Sequence, residues 1–250
     1  MFSGATSFNQ DISSWDVSNV SSMSGMFSDV VAIGILAFVG TYEYTRAGST
    51  AFNQPIGNWN VSNVKCMDCM FSGATSFNQD ISNWDVSNVG TMLHMFSSGR
   101  SGEWDNEWQT KKHSAVLREN AKNNPTSFNQ DISNWDVSNV ENMGGMFSGA
   151  TSFNQPIGNW NVSKVGSMNN MFSGATSFNQ DLNEWNVNSL SWVEGMFYGA
   201  TSFNSPIGKW KLKSQNNMSM ANMFSGATSF NQDISSWDVS NVENMSGMFS

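Results

Sequence analysis

The 250-residue sequence holds few of the residue types that several classes of function require. Its two cysteines cannot form the dense disulfide framework of a small secreted scaffold. Lysine and arginine total 11 against 20 aspartate and glutamate residues, and the net charge of −9 argues against a nucleic-acid partner, which needs clustered basic side chains. With only two histidines, the chain has almost no candidates for the histidine of a Ser-His-Asp triad. We therefore expect no enzyme, and we assign neither a catalytic residue nor a cofactor.

The sequence also lacks an apolar run long enough to cross a membrane. The apolar segment from Val30 to Gly40 has 11 residues. A transmembrane helix needs about 20. We expect no transmembrane segment and interpret this run as a packed flap or an extra strand.

Methionine and aromatic residues are abundant because the chain repeats one phrase. The phrase MFSGATSFNQDISxWDVSNVxxMxx recurs with a period of 25 residues in eight units. In each unit a Phe-Asn pair is followed seven residues after the Phe by a tryptophan, at Trp15, Trp59, Trp84, Trp135, Trp160, Trp185, Trp210 and Trp237. The 17 Met, 18 Phe and 11 Trp are therefore mostly repeat positions rather than one irregular core. We expect residues 1–250 to be a single repeat array and a fragment of a longer one.

The spacing within a unit predicts one short helix and one short strand. Val20, Met23, Met26 and Phe27 recur at intervals of three and four, which is typical of one helix face. The run from Ile12 to Val17 favours a short strand. The Asn after each Phe is expected to form an internal column that bonds to backbone groups of adjacent coils. Such units cannot bury their apolar faces alone, so we expect about eight stacked 25-residue coils in an α/β solenoid.

The phrase FNQDISxWDVSNVxxMxxMF resembles the repeat of BspA-like surface proteins, a leucine-rich-repeat-like group of bacterial lipoproteins and wall-anchored proteins. The resemblance covers all eight units. It implies a right-handed solenoid with a parallel sheet, displayed on the cell surface or outside the cell for adhesion. It supplies no catalytic residues.

Two insertions interrupt the repeat, at about residues 29–47 and 98–123. Both fall between a Met-Phe-Ser and the next Phe-Asn, where a turn of the array accepts extra chain. Surface loops and retained introns are both compatible with this placement.

The CxxC spacing of Cys66 and Cys69 is a weak metal signal. His94 holds in the next unit the position that Cys69 holds in its own. A zinc site normally needs four nitrogen or sulfur ligands, and the sequence offers no fourth. We assign no metal ligand and interpret the two cysteines as having no special role.

Two acidic columns are the candidate interaction residues. One repeat position holds Asp11, Asp80, Asp131, Asp181 and Asp233, and a second, five residues on, holds Asp16, Asp85, Asp136 and Asp238. Their repetition suits a scaffold whose weak contacts add up, whereas catalysis needs two carboxyl groups in different environments. A solvated acidic face and turn-capping aspartates are the simpler alternatives.

The leading hypothesis is a non-enzymatic extracellular or surface module that binds protein or glycan through a repetitive face. The alternative is a calcium- or ice-type surface binder that uses the Asp, Asn and Thr columns. End-to-end association through uncapped coils is a further expectation.

Overall fold

The computed structural model describes residues 1–36, 41–46, 50–98, 125–212 and 218–250. Its described part contains four short strands: β1, Val30–Leu36; β2, Thr41–Arg46; β3, Met218–Ser219; and β4, Val242–Asn244. The repeats stack as coils, with equivalent residues of successive units joined by parallel bridges. These bridges run in order through Ser22, Cys66, Thr91, Asn142, Ser167, Trp192 and Ser219. The parallel pair β3 and β4 continues the series to the last coil.

The predicted α/β solenoid with a helix and a strand in each coil is wrong. None of the described residues is in an α-helix. The segment predicted as helix instead bonds to the next coil: Met143, Gly145 and Phe147 donate their N–H groups to the carbonyls of Ser167, Asn169 and Met171 at 2.8 to 3.0 Å. The Met146 N–H bonds three residues back within the coil, to the Met143 carbonyl, and the Gly144 N–H bonds to the Asn142 side chain. An α-helix needs every N–H bonded four residues back, so the two arrangements exclude each other.

Backbone dihedrals give a second reason for the missing helix. One position in the middle of this segment has a positive φ in every coil, at Gly25, Cys69, His94, Gly145, Asn170, Gly195, Asn222 and Gly247. A residue in this left-handed region cannot continue a right-handed helix. The glycines after the Met-Phe pairs, such as Gly149 and Gly174, also have positive φ.

The predicted strand from Ile12 to Val17 is also wrong. This stretch forms a turn in which the Trp15 N–H bonds to the Ile12 carbonyl at 3.1 Å. The same turn recurs in later coils, for example between Trp160 and Ile157. The parallel pairing lies instead just before the first Met of the segment predicted as helix. The apolar residues are therefore spaced by turns and not by regular secondary structure.

Stacked aromatic rings fill the interior of the coils. The Phe of each Met-Phe pair lies 5.6 to 5.8 Å from its equivalent in the next coil, as between Phe147 and Phe172. The Phe before each Asn forms a parallel column, and the two columns meet at 3.9 Å between Phe147 and Phe153. Both Met positions of a central coil, such as Met143 and Met146, are fully buried. The aromatic and methionine columns that the repeat predicted are present.

Each ladder tryptophan after the first joins its coil to the preceding one by a hydrogen bond. Trp160 Nε1 donates to the Ile132 carbonyl at 3.1 Å, and Trp185 Nε1 donates to the Ile157 carbonyl at the same distance. Trp160 is 3 % exposed. Since a buried indole N–H needs an acceptor, the tryptophan both packs and fixes the axial position of its neighbour.

The first insertion contains an antiparallel pair of strands. β1 pairs with β2 from Val30 opposite Arg46 to Leu36 opposite Thr41. This agrees with the interpretation of the apolar run as an extra strand. The second insertion, apart from Ser98, lies outside the described residues. Among the described residues, no helix has the length and apolar character that a bilayer crossing requires.

Both insertions rejoin the array through a buried threonine. In an uninterrupted coil the carbonyl of the Met-Phe phenylalanine accepts an Ala N–H, as Phe147 does from Ala150 at 3.0 Å. After the first insertion, Thr50 Oγ1 donates to the Phe27 carbonyl at 3.2 Å. After the second, Thr126 Oγ1 donates to the Phe96 carbonyl at 3.3 Å. At both insertions a threonine hydroxyl thus takes the place of the alanine N–H as the donor to the Phe carbonyl.

Candidate interaction surface

The first acidic column lies on the surface and caps turns. The Oδ1 atoms of Asp11, Asp80 and Asp131 each accept the backbone N–H two residues later at 2.9 Å. Asp181 and Asp233 make the same bond. All five side chains are exposed. Proline replaces aspartate in three coils, at Pro55, Pro156 and Pro206, so Asp80 and Asp131 are the two members of this column in successive coils.

The second acidic column has the same local geometry. Asp16, Asp85, Asp136 and Asp238 accept the N–H of the serine two residues later at 3.0 to 3.1 Å. Asparagine holds this position in three coils and keeps the turn, with a longer bond of 3.2 Å at Asn60, Asn161 and Asn186. A neutral side-chain oxygen is therefore sufficient for this bond, and a charge is not needed.

These turns lower the pKa of the carboxyl groups. At Asp136, hydrogen bonds from the side chain and then the backbone of Ser138 lower the pKa, and the positive charge of Lys164 adds to the effect. At Asp131 the corresponding bonds from Ser133 lower the pKa, while the charge of Asp80 opposes them. The pKa is lowered for the same reason at Asp11, Asp16, Asp80, Asp233 and Asp238. These seven carboxyl groups are thus ionised at neutral pH.

A third polar column runs beside the first. Asn129 Oδ1 accepts the backbone N–H of Asn154 at 2.9 Å, and Asn154 Oδ1 in turn accepts that of Asn179. The amide of Gln155 donates to both oxygens of Asn129. The predicted bonding between Asn side chains and the backbone of adjacent coils is confirmed. The predicted internal location is wrong, because these asparagines are exposed or half-buried.

Cys66 and Cys69 lie in one coil, and His94 lies in the next. Both cysteines are half-buried thiols, and His94 is 4 % exposed. Burial raises the pKa of the Cys66 thiol. The described ranges contain no group of three or more His, Cys, Asp or Glu side chains placed to hold a metal ion.

Trp192 is the one feature of this surface that sequence reasoning missed. It is 55 % exposed and occupies a bridge position that other coils fill with smaller residues, such as Asn142 and Ser167. An open groove of about 540 Å³ lies beside it, with Gly166, Lys164 and Glu141 among its lining residues. The sequence contained one signal for it: Trp192 does not fall at the repeat position that the eight ladder tryptophans share.

Comparison with known proteins identifies the repeat. The sequence matches the family described as "Mycoplasma protein of unknown function, DUF285" over residues 1–34, 37–124, 114–220 and 213–250. Neither a curated protein nor a solved structure matches the chain. Because the successive matches extend over nearly the whole sequence, the chain belongs to the DUF285 repeat family.

Proposed function

We propose that this chain is a non-enzymatic structural module, displayed at the cell surface or outside the cell, that binds protein or glycan through its repetitive polar face. The observation that carries the proposal is the alignment of equivalent exposed side chains from coil to coil. Asp80 and Asp131 are successive members of one column, and the Asn-Gln column runs beside them through hydrogen bonds such as the one that Gln155 Nε2 donates to the Asn129 carbonyl.

Repetition favours binding by many weak contacts. Oxygen acceptors and amide donors recur at equivalent positions from coil to coil, so one partner with repeated groups can engage several coils at once. Once one contact forms, the next becomes intramolecular, and the affinities combine without any single strong site. The stacked coils also favour such binding. Because the columns are already ordered, the entropy cost of ordering them on binding is avoided.

The non-enzymatic character is supported by the uniform environment of the carboxyl groups. Acid–base catalysis by two carboxyl groups needs their pKa values pushed apart. Here the same serine hydrogen bonds lower the pKa of Asp16, Asp136 and Asp238 alike. The surface location rests on the resemblance of the repeat phrase to BspA-like proteins.

Neutralising the second column tests this function on the full chain. The variant carries Asp16→Asn, Asp85→Asn, Asp136→Asn and Asp238→Asn, and Asn60, Asn161 and Asn186 show that asparagine keeps the turn. Binding to immobilised extracellular-matrix proteins and glycans is measured by surface plasmon resonance. We expect saturable binding by the parent chain and a loss of at least about tenfold in the variant, whose melting curve should show that it is still folded at the temperature of the assay.

The matched control removes three carboxylates outside both columns, by Glu184→Gln, Glu194→Gln and Glu243→Gln. We expect it to bind as the parent does. Absence of binding to every immobilised ligand, or equal losses in the column variant and the control, contradicts the proposal.

A further inference from the structure

We propose that the groove beside Trp192 is a binding site for a neutral glycan. This inference deepens the proposed function, on which it rests, by giving one ligand class a defined place on the surface. It starts from the exposure of Trp192, because 55 % of a large apolar side chain faces water at a position that tolerates serine, threonine or asparagine in other coils.

Folding does not explain the presence of tryptophan at this position. The backbone of Trp192 bridges to Ser167 and Ser219, and its carbonyl accepts the Met168 N–H at 2.9 Å. These are backbone interactions that any residue can make. The ladder tryptophans after the first, by contrast, are buried and donate Nε1 to a carbonyl, as Trp185 does. The indole of Trp192 thus adds exposed apolar surface without contributing to the core.

The surroundings of the indole fit a sugar better than a protein. Protein hot spots centred on tryptophan are surrounded by contacts that exclude water. Here the groove is open, and its other lining groups include Asn142, Ser167 and Lys164. A pyranose ring presents one face of C–H groups, which packs on an indole, and a rim of hydroxyls, which bond to such polar groups.

The charges of the groove favour a neutral ligand. Glu141 and Lys164 line it together and carry opposite charges. Lys164 Nζ also donates to Asn139 Oδ1 at 2.6 Å, and its charge acts on Asp136 in the acidic column. The lysine is therefore already engaged with acceptors of the protein, and no excess positive charge remains to select an anionic glycan.

Gly166 is one of the residues that line the groove. Its N–H donates to the Glu141 carbonyl, and its own carbonyl accepts from Ser191. A Cβ at this position would be 3.8 Å from the nearest atom, which is ordinary contact. A side chain can therefore be introduced at position 166 without a clash at its Cβ. In the native chain the same space is open to a sugar ring that lies against Trp192.

The experiment titrates the full chain with neutral glucose and N-acetylglucosamine oligosaccharides, followed by calorimetry and by the indole N–H signals in NMR spectra. We expect saturable binding that shifts one indole signal, assigned by its absence in Trp192→Ala. Trp192→Ala and Gly166→Leu should each weaken binding at least about tenfold, the first by removing the stacking surface and the second by filling the groove. Both variants should keep the parent melting temperature. Trp15→Ala, which removes another exposed indole in the first coil, is the control and should bind as the parent does.

Binding of these oligosaccharides that persists in Trp192→Ala, or no binding up to about 10 mM, overturns the inference. If Trp192→Ala instead abolishes binding to a matrix protein, the groove is a protein site and the inference fails while the proposed function stands. If the parent chain binds no immobilised ligand of any class, both fail together.

Discussion

The side chain of Asn170 lies over Gly195 of the next coil, in the space that a Cβ on Gly195 would occupy. Both residues have positive φ, at 54° and 58°. The imidazole of His94 covers Gly145, and the side chain of Asn222 covers Gly247, in the same way. Gly145, Gly195 and Gly247 are therefore favoured by the backbone conformation, and the side chain stacked on each of them leaves no room for a Cβ.

Gly195→Ala should destabilise the chain by more than the strain of a left-handed alanine alone, which is about 1–2 kcal/mol. The additional loss comes from overlap with Asn170, so Asn170→Gly should recover part of it. The free energies of unfolding of the two single variants and the double variant form a cycle that isolates this coupling.

Gly90→Ala is the matched control for that cycle. Its Cβ would lie 3.8 Å from the nearest atom, and its φ is not positive. We expect a change within about 0.5 kcal/mol. Strict additivity of Gly195→Ala and Asn170→Gly would show that the side chain does not occupy the space above the glycine.

Trp160→Ala should reduce the free energy of unfolding by about 3–5 kcal/mol, because it opens a cavity and leaves the Ile132 carbonyl without its donor. In a stack each coil supports its neighbours, so the loss should spread. Hydrogen exchange should accelerate at backbone amides of the adjacent coils as well as in the mutated one.

Trp192→Ala provides the comparison, since it makes the same chemical change at a side chain that is 55 % exposed. Its unfolding curve should nearly match that of the parent. Superimposable curves for Trp160→Ala and the parent would contradict the inward position of the tryptophan ladder.

The repeat predicted the number of coils and the identity of the core, but not the path of the backbone. Phe153, Trp160 and Met168 are buried as their periodicity indicates, because burial follows from hydrophobicity and repetition. The spacing of three and four in the Val20 to Phe27 segment is shared by a helix and by successive turns, and periodicity alone cannot separate them. Gly25, in the middle of that segment, argued against a helix.

The acidic columns were predictable as surfaces because aspartate two residues before serine is a turn signal. Trp192 was not predicted, since its exposure depends on which neighbouring coil lies beside it. The repeat phrase does not carry that information.

Acid should destabilise the chain through the aspartate turns. The folded-state pKa of Asp16, Asp136 and Asp238 is below the ordinary value of 3.8, so the stabilisation is fully present above that value. It is lost as the pH falls through the lower folded-state pKa. The fourfold variant with Asn at positions 16, 85, 136 and 238 should lose less stability between neutral pH and about pH 3 than the parent does.

At neutral pH the single change Asp136→Asn should alter the free energy of unfolding by less than about 1 kcal/mol, because the solvent-exposed charge is screened and asparagine keeps the turn. Urea unfolding at several pH values measures both effects. Parallel stability profiles for the parent and the fourfold variant would show that these carboxylates do not contribute to acid sensitivity.

Calcium should not stabilise the protein. A Ca²⁺ site takes six to eight oxygen ligands. The described coils offer no group of three or more Asp, Glu, His or Cys side chains in one place, and the Oδ1 atoms of Asp80 and Asp131 each accept a backbone N–H. The melting temperature should therefore be the same with millimolar Ca²⁺ and with a chelator, with millimolar Mg²⁺ as the control. A rise specific to Ca²⁺ would favour the calcium-binding alternative, because a ligand that binds the folded state must stabilise it.

Thr50→Val should reduce the free energy of unfolding by about 1–3 kcal/mol, because it keeps the shape of the side chain but removes the donor to the buried Phe27 carbonyl. Thr126→Val should have a similar effect at the second insertion, where the acceptor is the Phe96 carbonyl. Thr176→Val is the control, since Thr176 Oγ1 is 3.5 Å from the Thr151 carbonyl and that coil has no insertion. The free energies of unfolding of the three variants are measured by chemical denaturation and compared with that of the parent. A control loss as large as that of Thr50→Val would mean that the hydroxyl has no special role where the chain re-enters the stack.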